Sequence, residues 1–249
     1  MPAARKLGGM KIAFFSTKDW VRDSFGSANS EHDFELTYHE ARLGPDTARI
    51  AAGSDAVCAF VNDDLSAPVL DELSESGVTL VAMRCAGFNN VDVDHARSLG
   101  VRVVRVPAYS PYAVAEHTLG LILSLNRRFH RAYWRVRDGN FSLDGLLGFD
   151  LHGKTIGVIG TGKIGRTLVE LLCGFGCTIL GYDKFPSEEW AAENGLDYVT
   201  LDELYQKSDI ITLHCPLTDD THHLIDAESL RAMKQGVMLI NTSRGPLID

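Results

Sequence analysis

Short apolar runs alternate with longer amphipathic stretches along almost the whole chain. In the first part the runs are KIAFFS from Lys11, DAVCAFVN from Asp55, TLVAMRCA from Thr79 and VRVVRVP from Val101. In the second they are TIGVIG from Thr155, CTILGYD from Cys177, DIITLHCP from Asp209 and VMLINTS from Val237. Runs of this length, separated by amphipathic segments, suggest strands of parallel sheets with crossover helices, although period alone does not separate a buried strand from a piece of helix. The alternation restarts after about Asp150. Two α/β units in series follow, residues 1–109 and 110–249, each with a parallel sheet. The first strand is expected at Met10 to Phe15, with MPAARKLGG as a loose extension before it.

Between the two sets of runs, SPYAVAEHTLGLILSLNRRFHRAYWRVRDGNF predicts one long helix, with Ser110 as its cap and Pro111 in its first turn. Val114, Leu119, Leu121, Ile122, Leu123 and Leu125 make its first half apolar nearly all round, which predicts burial on several sides. Its second half places Arg127, Arg131 and Arg135 at a spacing of four, a like-charge stripe that weakens a helix unless carboxylates face it. The stripe reads either as a solvated basic face or as a contact arm against a second subunit, which would make the protein a homodimer or a higher homo-oligomer.

Composition narrows the partners. A net charge of -9 repels phosphates and argues against nucleic acid or an anionic membrane surface, so any bound anion needs local cations. No stretch approaches the roughly 18 apolar residues of a membrane span. Cys58, Cys85, Cys173, Cys177 and Cys215 form no CxxC, and their odd number and apolar surroundings predict reduced, buried thiols and a cytoplasmic setting.

The candidate chemistry begins at TIGVIGTGKIGRTLVELL, where a strand runs into Gly160, Gly162 and Gly165 and then into a helix. A GxGxxG pattern alone is weak. Here a strand precedes it, a helix follows, and Asp183 closes the next strand. Gly160 permits the tight turn, Gly162 lets the backbone approach a pyrophosphate, and Gly165 lets helix and strand pack closely. The helix N-terminus offers unpaired N–H groups and a positive dipole end to the phosphates. Asp183 is placed to accept from both adenosine ribose hydroxyls and to repel a 2′-phosphate, which predicts NAD over NADP, with Lys184 as a cation that could soften the choice. A methyltransferase, which also combines a glycine turn with an acidic residue, competes on this motif alone.

Further stretches separate the two. FVNDD from Phe60, RCAGFNNVD from Arg84, VPAYSPYAVAEH from Val106, GVIGTGKIG from Gly157, LHCPLT from Leu213 and NTSRGPLID from Asn241 stand in order over residues 10 to 249. Together they resemble the NAD-dependent D-2-hydroxyacid dehydrogenases, and within them the fermentative D-lactate dehydrogenases of bacteria. The resemblance implies a flavodoxin-like substrate domain and a Rossmann-type NAD-binding domain. It also implies that Lys163 and Ile164 lie on the pyrophosphate and Asp183 on the ribose. Cys215, Pro216 and Thr221 would line the adenine and nicotinamide side, with Thr242 and Ser243 near the nicotinamide. Backbone N–H groups of Gly87 and Phe88 would hold the substrate carboxylate, with Tyr109 at the pocket mouth. Asn89 stands where many relatives have aspartate.

Reducing a 2-keto acid requires a hydride donor, a fixed cation and a proton donor. Arg244 supplies the cation: a planar fork of donors that orients the acid and stabilises oxyanion character as hydride arrives. The resemblance implies a histidine as proton donor well after SRG, tuned upward by a glutamate between the two, and neither follows Arg244 here. The nine histidines, His32, His39, His95, His117, His130, His152, His214, His222 and His223, suggest capping, packing or surface roles and no metal-ligand spacing. The chain is therefore expected to be a fragment of a longer enzyme, incomplete in its nucleotide sheet, with VMLINTS as a flat apolar edge, and to turn over slowly or not at all. The competing class is a non-catalytic NADH-responsive interaction module on the same fold. An assay of NADH oxidation with pyruvate separates the two.

Overall fold

The computed structural model describes residues 9–249, so the expected extension MPAARKLGG lies, except for Gly9, outside the described residues. The chain divides into two compact units, Met1–Tyr109 and Ser110–Asp249.

The first unit runs β1 (Lys11–Phe14), α1 (Asp19–Asn29), β2 (Glu35–Tyr38), β3 (Ala56–Ala59), α2 (Ala67–Glu75), β4 (Leu80–Met83), α3 (Val93–Ser98) and β5 (Arg102–Arg105). Its five strands are all parallel, in the order β2-β1-β3-β4-β5. That is the flavodoxin-like order, in which the connections reverse direction between β1 and β3. All four residues of β3 are buried, as the uninterrupted apolar run requires of a central parallel strand. Phe15, Val57, Leu70, Leu73 and Val81 form the centre of the core.

The second unit runs α4 (Pro111–Arg127), α5 (Phe129–Arg137), β6 (Thr155–Ile159), α6 (Lys163–Cys173), β7 (Thr178–Tyr182), α7 (Glu188–Asn194), β8 (Leu196–Tyr198), α8 (Leu201–Lys207), β9 (Ile210–Leu213), α9 (Ala227–Ala232) and β10 (Met238–Asn241). The sheet is again parallel, ordered β10-β9-β6-β7-β8. Counted within the unit this is 5-4-1-2-3, the Rossmann arrangement, with its crevice between β6 and β9. Strand β10 is the first in this order and pairs with β9 alone among the described strands.

The helical connection differs from expectation. Ser110 does cap it, accepting from the Ala113 N–H at 3.1 Å. Arg128, however, adopts a left-handed conformation at φ 53° and splits the predicted single helix into α4 and α5. The arginine stripe is thereby broken. Arg127 pairs with Asp150 at 3.0 Å, while Arg135 donates to the carbonyls of Ser142 and Asp144. Burial is also narrower than expected: Ala115, Thr118, Ile122 and Asn126 form a single buried stripe, and Leu125 is exposed.

No disulfide joins the five cysteines. The expectation that all are buried fails at Cys173, which is exposed near the end of α6, and at Cys177 and Cys215, which are half-buried.

Candidate active site

The glycine turn is built by contact. Gly160 follows β6 at φ +95°, a left-handed conformation, and a Cβ there would lie 2.5 Å from the Cys215 backbone nitrogen. A Cβ on Gly165 would run into the Gly160 carbonyl. Around Gly162, the N-cap residue of α6, a Cβ would meet nothing within 4 Å. Two glycines are thus required by packing, and the third borders open space at the start of an 11-residue helix that has no side-chain cap. Lys163 there is exposed and Ile164 half-buried. Unpaired N–H groups, a positive helix end and open room beside them are what a pyrophosphate requires, so these residues fit a dinucleotide.

Asp183 stands at the end of β7 and closes the turn from the other side. Its Oδ2 accepts from the Thr161 N–H at 2.6 Å and the Thr161 hydroxyl at 3.1 Å, and its Oδ1 accepts from the Phe185 N–H at 2.9 Å. The Tyr198 hydroxyl lies 2.6 Å from Thr161 Oγ1, so this tyrosine of β8 joins the set. Arg166 on α6 donates from Nε to the Thr161 carbonyl at 3.0 Å, and its guanidinium sits 4.8 Å over the Trp190 ring. Lys184 leans the other way, its Nζ 2.7 Å from Asp220.

A second turn follows β10. The Ser243 hydroxyl donates to the Leu213 carbonyl at 3.0 Å, tying this turn to the end of β9. Asn241 braces it internally: its side-chain oxygen accepts from the Ser243 N–H at 2.9 Å and its amide donates to the Arg244 carbonyl at 2.8 Å. The Thr118 hydroxyl, buried in α4, donates to the Val114 carbonyl and lies 3.0 Å from the Thr242 hydroxyl, which must then be the donor between the two. Arg244 is half-buried, donates to the Ser243 carbonyl at 2.9 Å, and forms no ion pair among the described residues. Thr118 and Tyr198 carry no motif signal, and Asn241, though it opens the NTSRGPLID stretch, is assigned no role there; their place beside the predicted residues marks all three.

Strand β9 delivers His214 and Cys215 to the same end of the sheet. His214 Nε2 lies 2.9 Å from Thr212 Oγ1, and burial pushes the imidazole down to about 4. Burial likewise raises the Cys215 thiol. Beyond it, the Thr221 hydroxyl closes a loop by donating to the Pro216 carbonyl at 2.7 Å. Gly160, Gly162, Lys163, Ile164, Gly165, Asp183, Cys215, Thr242, Ser243 and Arg244 therefore all follow the C-terminal ends of parallel strands in one unit, where ligands bind in open α/β sheets.

In the first unit, the turn after β4 holds Gly87 and Phe88. The Cys85 thiol lies 3.2 Å from the Gly87 carbonyl, and the Arg105 guanidinium lies 5.1 Å over the exposed Phe88 ring while donating to the Ala86 carbonyl. Arg84 donates to the carbonyls of Phe15, Ser16 and Cys58 and sits 5.0 Å over Phe60, beside a cavity also lined by Lys18 and Asn62. Tyr109 is exposed. Among the described residues no group of His, Cys, Asp and Glu could hold a metal, and no helix is long and apolar enough to cross a membrane.

Comparison with known proteins identifies the family. The profile of the D-isomer specific 2-hydroxyacid dehydrogenase NAD-binding domain matches residues 119–249. D-lactate dehydrogenase of Escherichia coli K12 is 54% identical over 240 residues, 96% of this chain and 73% of that protein. A 2-hydroxyacid dehydrogenase homolog of Schizosaccharomyces pombe is 52% identical over 241 residues, again 96% of this chain and 72% of the relative. Among solved structures, apo D-lactate dehydrogenase from Escherichia coli superposes with a TM-score of 0.89, covering 96% of this chain and 76% of that one at 54% identity. D-lactate dehydrogenase from Aquifex aeolicus, complexed with NAD and lactic acid, gives 0.83 at 36% identity, covering 96% and 70%. The methyltransferase alternative has no place beside these matches, and the chain belongs to the NAD-dependent D-isomer specific 2-hydroxyacid dehydrogenases.

Proposed function

We propose that this protein reduces a small 2-keto acid with NADH, most specifically pyruvate to D-lactate. Arg244 carries the reading: a half-buried guanidinium without an ion pair among the described residues, held after β10 by Asn241, in the unit that also builds the glycine turn. NADH, when bound, supplies the hydride. The chain's own residues bind and orient. In this reading the N-terminus of α6 and Lys163 take the pyrophosphate, while Gly160, Gly162, Ile164 and Gly165 let it approach the backbone. Asp183 takes the adenosine ribose, Cys215, Pro216 and Thr221 line the dinucleotide, and Thr242 and Ser243 lie along the nicotinamide. Arg244 holds the keto acid and stabilises the oxygen as charge develops on it. Gly87 and Phe88 N–H groups hold the substrate carboxylate, and Tyr109 contacts the substrate. The names of the Escherichia coli and Aquifex aeolicus relatives support lactate as the product.

The proton donor in this reading is none of the histidines in the second unit. His214 is half-buried, kept neutral and turned to Thr212. His222 and His223 stack on each other at 3.8 Å, and His117, His130 and His152 are exposed. The spectrophotometric oxidation of NADH by pyruvate, with chiral analysis of the lactate, tests the assignment. L-lactate as product, or a strong preference for another keto acid, sinks it.

Self-association and location belong to the same proposal. Phe129, Tyr133, Trp134, Phe141, Leu143 and Leu147 are all more than half exposed over α5 and the segment after it. So dense an apolar surface fits a contact arm between two copies of the chain. Five cysteines without a disulfide support a cytoplasmic setting.

A further inference from the structure

We propose that Asp220 sets cofactor choice by sequestering Lys184, so that the lysine beside Asp183 is withheld from the 2′-phosphate of NADP. The inference rests on the placement of the adenosine ribose at Asp183. A lysine directly after that aspartate would ordinarily counteract it, because a 2′-phosphate repelled by the carboxylate could be recovered by the neighbouring ammonium. Here Lys184 Nζ instead lies 2.7 Å from Asp220 Oδ2, across to the loop that follows β9. The contact holds the lysine's proton more firmly and lowers the Asp220 carboxyl. Arg166, which reaches the same turn, is also committed, since it is stacked on Trp190 and donates to the Thr161 carbonyl. A 2′-phosphate would therefore meet Asp183 with neither Lys184 nor Arg166 at liberty. The 2′-hydroxyl of NAD asks nothing of Lys184 and is unaffected. Both partners are exposed, so the device is a modest bias added to the effect of Asp183 itself.

The test is calorimetric titration of the chain with ADP-ribose and with 2′-phospho-ADP-ribose, which report on this subsite without turnover. Asp220→Asn is expected to tighten the 2′-phosphorylated ligand about three- to fivefold, the size expected for one solvent-screened charge, and to leave ADP-ribose affinity unchanged. The gain should shrink in high salt and vanish in the Lys184→Gln/Asp220→Asn double variant. An unchanged affinity ratio in Asp220→Asn overturns the proposal, as does a gain that survives loss of Lys184, which would mean that Asp220 acts by bulk charge alone. Failure of both ligands to bind would overturn the ribose placement along with it.

Discussion

Asn241 grips the turn that presents Arg244 from both sides, accepting the Ser243 N–H and donating to the Arg244 carbonyl at 2.8 Å. Neither bond is made by a group that would touch substrate. Asn241→Ala should cost about 1–2 kcal/mol of stability, the ordinary worth of two such bonds. It should also weaken oxamate, a pyruvate isostere, several-fold in the presence of NADH while changing NADH affinity little. Fluorescence titration of both ligands checks this, and equal losses for the two would refute a role specific to Arg244.

Gly160 and Gly162 of the nucleotide turn should respond differently to the same substitution, alanine. Gly160→Ala forces a side chain into left-handed backbone and against the Cys215 nitrogen, so it should destabilise the second unit by several kcal/mol. At Gly162 the added methyl meets open space at an ordinary negative φ, so that variant should unfold at nearly the wild-type urea concentration yet lose NADH affinity at least tenfold. Melting and NADH titration of the two variants read this directly.

His214 makes stability depend on pH. Its imidazole titrates near 4 in the fold against an ordinary 6.5, so between those values the unfolded chain binds more protons. The full stability is present above pH 6.5 and is lost as pH falls toward 4, by about 3 kcal/mol in all. Urea unfolding at a series of pH values should show this slope, and His214→Asn should flatten it. An identical slope in the variant would assign the acid sensitivity elsewhere.

If the arm after α4 joins two copies, Trp134→Glu together with Leu143→Glu should convert the protein to a monomer in sedimentation without unfolding it, since both side chains are more than half exposed. A wild-type protein that sediments as a monomer at high concentration would contradict the contact.

The cysteines should separate by reactivity. Cys173 is exposed, whereas Cys58 is buried with its thiol pushed up to about 11. Alkylation at pH 7.5 followed by peptide mass analysis should label Cys173 early and leave Cys58 unmodified until the protein is denatured.

The central strands were legible because full burial writes an unbroken apolar run, as in β3, β6 and β9. Strands β2 and β8 were not, since both are short edge strands whose alternate or central residues face solvent. The break at Arg128 also left no trace: a left-handed arginine replaces the glycine or proline that would have announced it. Within the site, the glycines and Arg244 stood out because their chemistry demands those residue types in that order. Asn241 opens the NTSRGPLID stretch, but its bracing role, like those of Thr118 and Tyr198, lies in side-chain bonds to turns that exist only once the sheet has formed.

Arg166 joins Trp190 to the glycine turn, stacking on the ring while holding the Thr161 carbonyl. An indole coupled in this way to the rim of a dinucleotide crevice is a built-in optical reporter. Its emission should register loading of the adenosine half without any label, and losing Arg166 should silence that signal.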